Sequence, residues 1–519
     1  MWTRRRWLKS AAALAVSAPI GLPAGAQSNE RDPDLILRLV AGSDRMKIWR
    51  GGPTAVLRYR GQVVRGRPDA LRPSGSYLGP TLDLRRGERV RVHFENRLDE
   101  PSIIHWHGLI VPEAADGHPR FTVEPGGGYT YEFTVRNHAG TYLYHPHPHG
   151  RTGFQVYHGL AGLIVVRDRK ERSAGLPNGP FELPLVLQDR RVGADNQLRF
   201  KGMMRDDMSG VLGDAVLVNG NPDAAFNVAP GSYRLRVVNA SNARIYKLAW
   251  SDGRPLTIVG TDNGLLSASS GPQERPYVML GPTERVEILE DFGSRRAGQE
   301  VALISQVFDS GTQMGMGGGM MDEGRMGGGM MGGGMMGEGM MSEGMMGGMM
   351  DSQGEEMLLA RFSIRPQRRR TAEPLTLPRI EGESPASPSE FNVRLAFRHM
   401  RGFLNEREFE MTAVAPEERL RVHAPVVWTF EHAQGMNVVM PHPMHIHGVR
   451  FRILERQRDA SAPDVAEGLI DDGFKDTVLV FPGERVRVLV QPTETGLFMY
   501  HCHNLEHEDG GMMRNYRVS

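Results

Sequence analysis

The sequence predicts an all-β protein made of three β-sandwich domains, and three observations support this. Short segments such as 89–94 and 485–490 alternate polar and apolar residues and are rich in β-branched side chains. Helical periodicity is scarce along the chain, and Gly, Pro and Asn separate the alternating segments. The hexapeptide Gly-Glu-Arg-Val-Arg-Val occurs at 87–92 and again at 483–488. The two ends of the chain therefore look like copies of one β-domain.

The length and charge of the chain limit its organisation and its partners. A chain of 519 residues is too long for one core. We expect domains at 35–170, 171–365 and 380–519. The 62 basic and 61 acidic residues nearly balance, which argues against nucleic-acid binding. No run of about 20 apolar residues is present, which argues against stable membrane insertion.

The N-terminus is typical of an exported protein. Three arginines, Arg4 to Arg6, precede a short apolar run from Ala11 to Ile20 and a small-residue cleavage pattern, Ala24-Gly25-Ala26. This pattern resembles a twin-arginine signal, which we assign to residues 1–26. The twin-arginine export machinery carries folded proteins, so the pattern predicts a periplasmic protein that acquires a metal cofactor before export.

One segment is not typical of a globular domain. Residues 314–350 contain 15 Met and 16 Gly in 37 positions. A stretch so rich in glycine cannot build a core, and we expect a flexible loop inserted in or just after the second domain. Thioether sulfur prefers Cu(I), so the loop is a candidate collector of cuprous ions. The alternative is a low-complexity linker without a ligand role.

Four His-x-His pairs are the main chemical signal in the sequence. They are His105/His107, His145/His147, His445/His447 and His501/His503, two pairs in each copy of the repeat. Alternate side chains of a strand point to the same side, so each pair presents two imidazoles together. Imidazole suits copper, zinc, iron and nickel. Eight imidazoles exceed the needs of one metal ion, and two domains packed face to face could bring them to one metal cluster.

The single cysteine, Cys502, lies between His501 and His503 and should point away from them. It cannot form an internal disulfide. His442 and His507, with Met512 as a weak axial ligand, complete the His₂Cys and thioether set of a blue-copper electron-transfer centre. The thiolate and its two neighbouring histidines would then connect two metal sites through a few covalent bonds.

These motifs resemble the four copper motifs of the multicopper oxidase family. The matching segments are His105-Trp-His-Gly, His145-Pro-His, His442-Pro-Met-His-Ile-His-Gly and His501-Cys-His-x₃-His-x₄-Met. Among the family, the bacterial copper-efflux oxidases and bacterial laccases are the most similar. The resemblance extends from about residue 35 to the C-terminus. It implies three cupredoxin-like Greek-key sandwiches, four copper ions and the four-electron reduction of O₂ to water.

The resemblance also implies a role for each matching residue. His442, Cys502, His507 and Met512 would bind the type 1 copper, and His105 and His445 the type 2 copper. The type 3 pair would be bound by His107, His145, His147, His447, His501 and His503. The segment His145-Pro-His147-Pro-His149 contains two possible pairs, His145/His147 and His147/His149. The match with Tyr500-His501-Cys-His503 favours His145 and His147.

Two acidic residues match carboxylates that assist proton delivery to oxygen in this family. They are Asp116, nine residues after His107, and Glu508, next to His507. O₂ reduction consumes protons in a shielded cluster, so a positioned carboxylate has a clear use there. The alternative for Glu508 is a solvated acidic loop.

The sequence alone does not determine which molecule donates the electrons. The first hypothesis is a metallo-oxidase for Cu(I), or for Fe(II), with a role in copper tolerance. Met440, two residues before His442, matches a substrate-site methionine of copper-efflux oxidases, whereas Val438 replaces their aspartate. The remaining candidate Cu(I) ligands are Met320, Met321, Met330, Met331, Met335, Met336, Met340, Met341, Met345 and Met346.

Two other hypotheses stay open. One is a laccase that oxidises phenols and aromatic amines, with the methionine-rich loop as a lid. The other is a non-enzyme, either a periplasmic copper-sequestering protein or a relative that kept the fold and lost the chemistry. A two-domain nitrite reductase is disfavoured because its cluster ligands would be missing. Since one chain contains every candidate ligand, we expect a monomer.

Overall fold

The computed structural model describes residues 32–203, 206–314, 353–367, 373–379, 388–398, 401–433 and 438–519. The predicted signal peptide and residues 315–350 lie outside these ranges, and so do all candidate methionines of the insert.

The first part of the chain forms two facing sheets. Its strands are β1 (Leu35–Met46), β2 (Thr54–Arg65), β3 (Leu71–Arg72), β4 (Thr81–Arg85), β5 (Arg89–Arg97), β6 (Ile104–His105), β7 (Gly128–Thr134), β8 (Gly140–Pro146) and β9 (Gly162–Arg167). One sheet has the order β2-β1-β5-β7 and the other β3-β4-β9-β8-β6. Side chains along β5 alternate between buried and more exposed positions, so each sheet turns one apolar face inward. The core between the sheets includes Trp106 and Tyr144.

The middle of the chain forms a second pair of sheets. Its strands are β10 (Glu182–Arg190), β11 (Ala215–Val218), β12 (Ala225–Val228), β13 (Ser232–Asn239), β14 (Tyr246–Trp250), β15 (Leu256–Thr261), β16 (Gly264–Leu265), β17 (Gln273–Arg275), β18 (Val278–Leu280), β19 (Arg285–Asp291), β20 (Glu300–Ser305), β21 (Gln313–Met314) and β22 (Met357–Ile364). The orders are β11-β10-β13-β19-β15-β16, with β17 beside β15, and β12-β22-β20-β14-β18. Trp250 and Phe362 lie in the core between them.

The C-terminal part forms the third pair. Its strands are β23 (Ser389–Arg398), β24 (Arg401–Leu404), β25 (Arg419–Leu420), β26 (Val426–His432), β27 (Val438–Val439), β28 (His442–Ile446), β29 (Phe451–Arg458), β30 (Thr477–Val480), β31 (Glu484–Val490), β32 (Gly496–Cys502) and β33 (Met513–Val518). The orders are β24-β23-β26-β31-β29 and β25-β33-β32-β28-β30. Trp428 and Tyr500 lie in this core together with Cys502 and Met512.

A separate two-stranded ladder joins the start of the methionine-rich segment to the third sheet pair. Strand β21 pairs antiparallel with β27, and Met314 lies opposite Val438. Strands β20 and β22, which flank the insert in sequence, are neighbours in the second sheet pair. The insert therefore interrupts the second sheet pair, and its described start lies beside the strand that leads into His442.

Helices are few and short. The α-helices are α1 (Thr152–Tyr157), α2 (Arg169–Arg172), α3 (Asp206–Ser209) and α4 (Leu505–Asp509). The 3-10 helices are Pro68–Ala70, Glu113–Ala115, Pro119–Phe121, Gly179–Phe181, Phe292–Ser294, Pro416–Glu418 and Ala466–Gly468. Among the described residues, no helix combines the length and apolar character needed to cross a membrane. The all-β prediction is confirmed.

Candidate metal centre

Equivalent strands at the two ends of the chain present the histidine pairs. In the first sheet pair, β6 and β8 place His105 directly opposite His145. In the third, β28 and β32 place His445 opposite His501. The second histidine of each pair follows two residues later, so it projects to the same side of the chain. Each strand pair thus delivers four imidazoles to one surface.

The two surfaces face each other, and the rings interleave across the boundary. All eight side chains are at most 2% exposed. The His105 ring stacks on His447, and the His107 ring stacks on His445, each with ring centroids 3.8 Å apart. Each of these two stacked pairs combines one ring from the first sheet pair with one from the third. Neither half of the protein therefore holds this cluster alone.

Backbone carbonyls fix the orientation of several of these rings. His105 Nδ1 donates to the Asp116 carbonyl oxygen at 2.6 Å, and His445 Nδ1 donates to the Asp476 carbonyl oxygen at 2.8 Å. A carbonyl oxygen can only accept, so the lone pair of each ring is on Nε2. The Nε2 atoms of His105 and His445 are buried and have no hydrogen-bond partner among the described residues. These two rings offer free lone pairs in the interior.

Three further rings converge by their nitrogens. His145 Nδ1 donates to the Pro146 carbonyl oxygen, which leaves its Nε2 as an acceptor. That Nε2 lies 3.4 Å from His107 Nδ1 and 3.3 Å from His503 Nε2. His107, His145 and His503 therefore form one trio of facing ring nitrogens.

A second trio consists of His147, His447 and His501. His501 Nε2 lies 3.0 Å from His447 Nε2 and 3.4 Å from His147 Nε2. His501 Nδ1 donates to the Cys502 carbonyl oxygen, so its Nε2 also carries a lone pair. The eight imidazoles thus divide into two trios and one pair.

The protonation of these rings suits metal binding. Burial lowers the pKa of His145 to about 4 and the pKa values of His445 and His501 to about 3. The rings are therefore neutral at pH 7 and present lone pairs rather than protons. Facing lone pairs about 3 Å apart repel each other, and a bound cation would convert that repulsion into coordination.

A smaller cluster surrounds the cysteine. Cys502 Sγ lies 3.4 Å from His442 Nδ1 and 3.5 Å from His507 Nδ1, and all three side chains are buried. Burial raises the pKa of the Cys502 thiol, so a thiolate here needs a neighbouring cation. Met512 is fully buried in the same core, and its carbonyl oxygen accepts from the Cys502 N–H at 3.1 Å. His442, Cys502 and His507 therefore lie together, and Met512 belongs to the same core.

Both predicted carboxylates lie beside the histidine trios. Asp116 Oδ2 accepts from His447 Nδ1 at 2.8 Å. Glu508 Oε2 lies 3.2 Å from His501 Nδ1, and its Oε1 lies 3.5 Å from His147 Nε2. Burial raises the pKa of Asp116 and of Glu508 well above the ordinary range. Glu508 is 1% exposed, so the alternative of a solvated loop is wrong.

The sequence reasoning missed a third carboxylate, Asp476. Its Oδ1 lies 3.1 Å from His107 Nε2, and its carbonyl oxygen orients His445. Arg285, from the second sheet pair, donates to both Asp476 oxygens at 2.6 and 2.5 Å. Asp476 precedes the buried strand β30 with Lys475 before it, and this charged pair at the start of an apolar run was the only available signal.

The sequence also singled out His149, Met440 and Val438. His149 is exposed and packs on Phe409 with ring centroids 4.9 Å apart, in agreement with the register chosen from the sequence. Met440 is buried just before β28. The backbone of Val438 pairs with that of Met314.

Comparisons with known proteins are consistent with this geometry. Two family models, each described as multicopper oxidase, match residues 66–171 and 383–519. The chain is 28% identical over 446 residues to "Multicopper oxidase mco" of Staphylococcus aureus, covering 86% of this chain and 83% of that protein. It is 30% identical over 454 residues to "Cell division protein FtsP" of Xenorhabdus nematophila, covering 85% and 83%.

Solved structures show the same similarity. The McoA multicopper oxidase from Aquifex aeolicus superposes with a TM-score of 0.74 at 28% identity, covering 94% of this chain and 97% of that one. A laccase from Pediococcus acidilactici gives 0.73 at 31% identity, covering 96% and 92%. A Campylobacter jejuni enzyme described as a metallo-oxidase gives 0.71 at 25% identity, covering 93% and 90%.

Proposed function

Because the chain belongs to the multicopper oxidase family and is an oxidase enzyme, we propose that it couples oxidation of Cu(I) to reduction of O₂ to water. Members of the family bind copper and use O₂ with a reducing substrate. Fe(II) is the second candidate among metal donors.

The division of the eight imidazoles into two trios and one pair is the observation that carries the proposal. It supports two type 3 coppers, bound by His107, His145 and His503 and by His147, His447 and His501. The Nε2 atoms of His105 and His445, which have no hydrogen-bond partner among the described residues, support a type 2 copper. His442, Cys502, His507 and Met512 would hold the type 1 copper, which gives four copper ions. When bound, these ions supply the one-electron redox chemistry.

The chain itself connects the two clusters. Cys502 belongs to the smaller cluster, while its neighbours His501 and His503 belong to the two trios. Only backbone and side-chain bonds separate the sulfur from either imidazole. This short covalent path is the route that we propose for electrons entering at Cys502.

Asp116 and Glu508 would hold the protons that O₂ reduction consumes. Both are buried and both contact imidazoles of the trio that contains His447 and His501. Their raised pKa values mean that the protonated form persists to higher pH than in water. A protonated carboxyl can donate within the shielded cluster, where bulk water has no direct access.

The β21–β27 ladder supports Cu(I) as the donor. It brings the start of the methionine-rich insert beside the strand that leads to Met440 and His442. Thioethers bind Cu(I) in preference to harder ions. The methionines of residues 315–350 would then collect cuprous ions near the electron-entry cluster. Export to the periplasm by the twin-arginine route and a role in copper tolerance belong to the same proposal.

A laccase activity is the second candidate, because the Pediococcus relative carries that name. The geometry at the smaller cluster argues against it. His442 and His507 are each 1% exposed, so a phenol ring cannot stack directly on either imidazole. A copper-sequestering protein is disfavoured because the residues form two linked clusters. The imidazole cluster and the cysteine cluster together suit redox chemistry rather than storage.

The first experiment is O₂ uptake by the copper-loaded protein with Cu(I) and with a simple phenol, before and after deletion of residues 315–350. We expect faster uptake with Cu(I) and a selective rise of its KM on deletion. Faster turnover of phenol, retained or raised after the deletion, would instead identify a laccase.

A further inference from the structure

A short helix from the second sheet pair covers the outer edge of the smaller cluster. His507 Nδ1 faces Cys502 Sγ, and on the opposite side of the ring Nε2 donates to the Met208 carbonyl oxygen at 2.6 Å. Met208 belongs to α3, and His507 is 1% exposed beneath it. The Met208 peptide is therefore in direct contact with a ring that borders the cysteine.

This helix is held firmly from two sides. Asp206 is buried and accepts from both terminal nitrogens of Arg191, at 2.8 and 2.6 Å. On the other side, Asn504 Nδ2 donates to the Ser209 carbonyl oxygen at 3.2 Å, and the Val211 N–H donates to Glu506 Oε2 at 3.0 Å. The segment is thus a fixed part of the wall around the cysteine cluster.

Two described methionines lie in or next to this helix. Met203 is 49% exposed, and Met208 is half-buried. The Met203 N–H donates to Asp206 Oδ2 at 2.9 Å, and the Asp206 N–H donates to the Met203 carbonyl oxygen at 3.0 Å, so Met203 is fixed against the first residue of α3. Lys201 pairs with Asp207 at 2.5 Å, so the neighbouring exposed acid is already neutralised. Among the described residues of this segment, the donors suited to a soft cation are the sulfurs of Met203 and Met208.

We propose that Met203 and Met208 form a docking site for Cu(I), and that its electron enters through the Met208 peptide and the His507 ring. This inference rests on the proposed function and identifies an entry site separate from the insert. Each docked Cu(I) gives up one electron and leaves as Cu(II). Four such events, with four protons and one O₂, yield two waters.

The route is short because every link is in contact. The Met208 side chain and carbonyl share one residue, the carbonyl is hydrogen-bonded to His507 Nε2, and His507 Nδ1 faces the sulfur of Cys502. A large organic donor gains nothing from this arrangement, since α3 separates it from the ring. A single thiophilic ion fits it well.

A binding experiment tests the site without turnover. The copper-loaded, fully reduced protein carries ¹³C-methyl methionine and is titrated anaerobically with Ag(I), a redox-inert soft cation. Single Met→Leu variants assign the signals. We expect the Met203 and Met208 methyl resonances to shift together, while that of Met411, which is 40% exposed elsewhere, stays in place. Unmoved Met203 and Met208 signals would refute the site.

A kinetic experiment tests whether Cu(I) oxidation uses this site. The variant M203L/M208L should raise the KM for Cu(I) about tenfold or more, while M411L should match the wild type. Copper content and the blue absorption band report whether the variant is intact. An unchanged KM in an intact M203L/M208L protein overturns the inference even though Cu(I) oxidation stands. A wild type that oxidises no Cu(I) overturns the proposed function instead, and the Ag(I) titration then still decides whether the site exists.

Discussion

The eight-histidine cluster and the cysteine cluster are built in different ways. The first lies between the first and third sheet pairs, and its rings stack across that boundary. The second lies within the third sheet pair, and among the described residues the hydrogen bond from His507 to the Met208 carbonyl links it to another part of the chain. The larger cluster thus requires the assembled chain, whereas the smaller one is largely a local product of β28, β32 and α4. Changes at the two places should therefore have separable effects.

Replacement of the cysteine should have the largest effect and should separate the two clusters most clearly. The variant C502S removes the thiolate but leaves all eight imidazoles in place. We expect oxidation of every donor to fall to background and the blue absorption band to disappear, since serine is a poor ligand for a soft metal site. Activity assays report on the cysteine cluster, and electron paramagnetic resonance of the type 2 copper signal reports on the histidine cluster. Loss of the type 2 signal as well would show that the clusters are not independent.

Replacement of the buried carboxyls should act only on the larger cluster. We expect E508Q and D116N to slow O₂ reduction by about 10²-fold or more, because loss of a positioned proton donor costs about that much. Anaerobic reduction of the blue band by Cu(I) should keep its wild-type rate. Stopped-flow spectroscopy follows both steps, and a slowed blue-band reduction would contradict this division of roles.

Replacement of Arg285 tests how far the second sheet pair supports the larger cluster. Arg285 holds Asp476, which contacts His107 and orients His445. In R285M we expect copper affinity of the histidine cluster to fall about 10- to 100-fold, as for other groups that orient metal ligands. The matched control is R234M, an equally buried arginine that pairs with Glu287 and Glu171. Equal copper loss in both variants would indicate general destabilisation.

Acid should produce the smallest and least selective effect. Burial lowers the pKa of His145 and of His507 from 6.5 to about 4, so both clusters favour neutral rings. The neutral rings contribute their full stabilisation of the folded state above about pH 6.5. This contribution is lost as the pH falls toward 4. Calorimetry of the copper-free protein should show a melting temperature lower by about 5 °C or more at pH 4.5 than at pH 7.5. A constant melting temperature would show that the rings stay solvated in the absence of metal.

The sequence predicted the clustered histidines and the cysteine because strand periodicity is local. In His501-Cys502-His503, alternation alone assigns the histidines to one side and the sulfur to the other. The same rule applies at His105/His107 and His445/His447. It could not find Asp476 or Arg285, since their partners are 369 and 191 residues away, respectively. No local sequence pattern indicates a contact between residues so far apart in the chain.

What the sequence determined by itself was the all-β class, the repeated histidine pairs and the residue set around Cys502. These follow from side-chain alternation and from ligand chemistry, which act over a few residues. Only the tertiary structure decided how the eight rings divide, which nitrogen is free in several of them, and that α3 covers His507. Those features depend on hydrogen bonds and ring stacking between distant segments, which form only when the sheet pairs pack together.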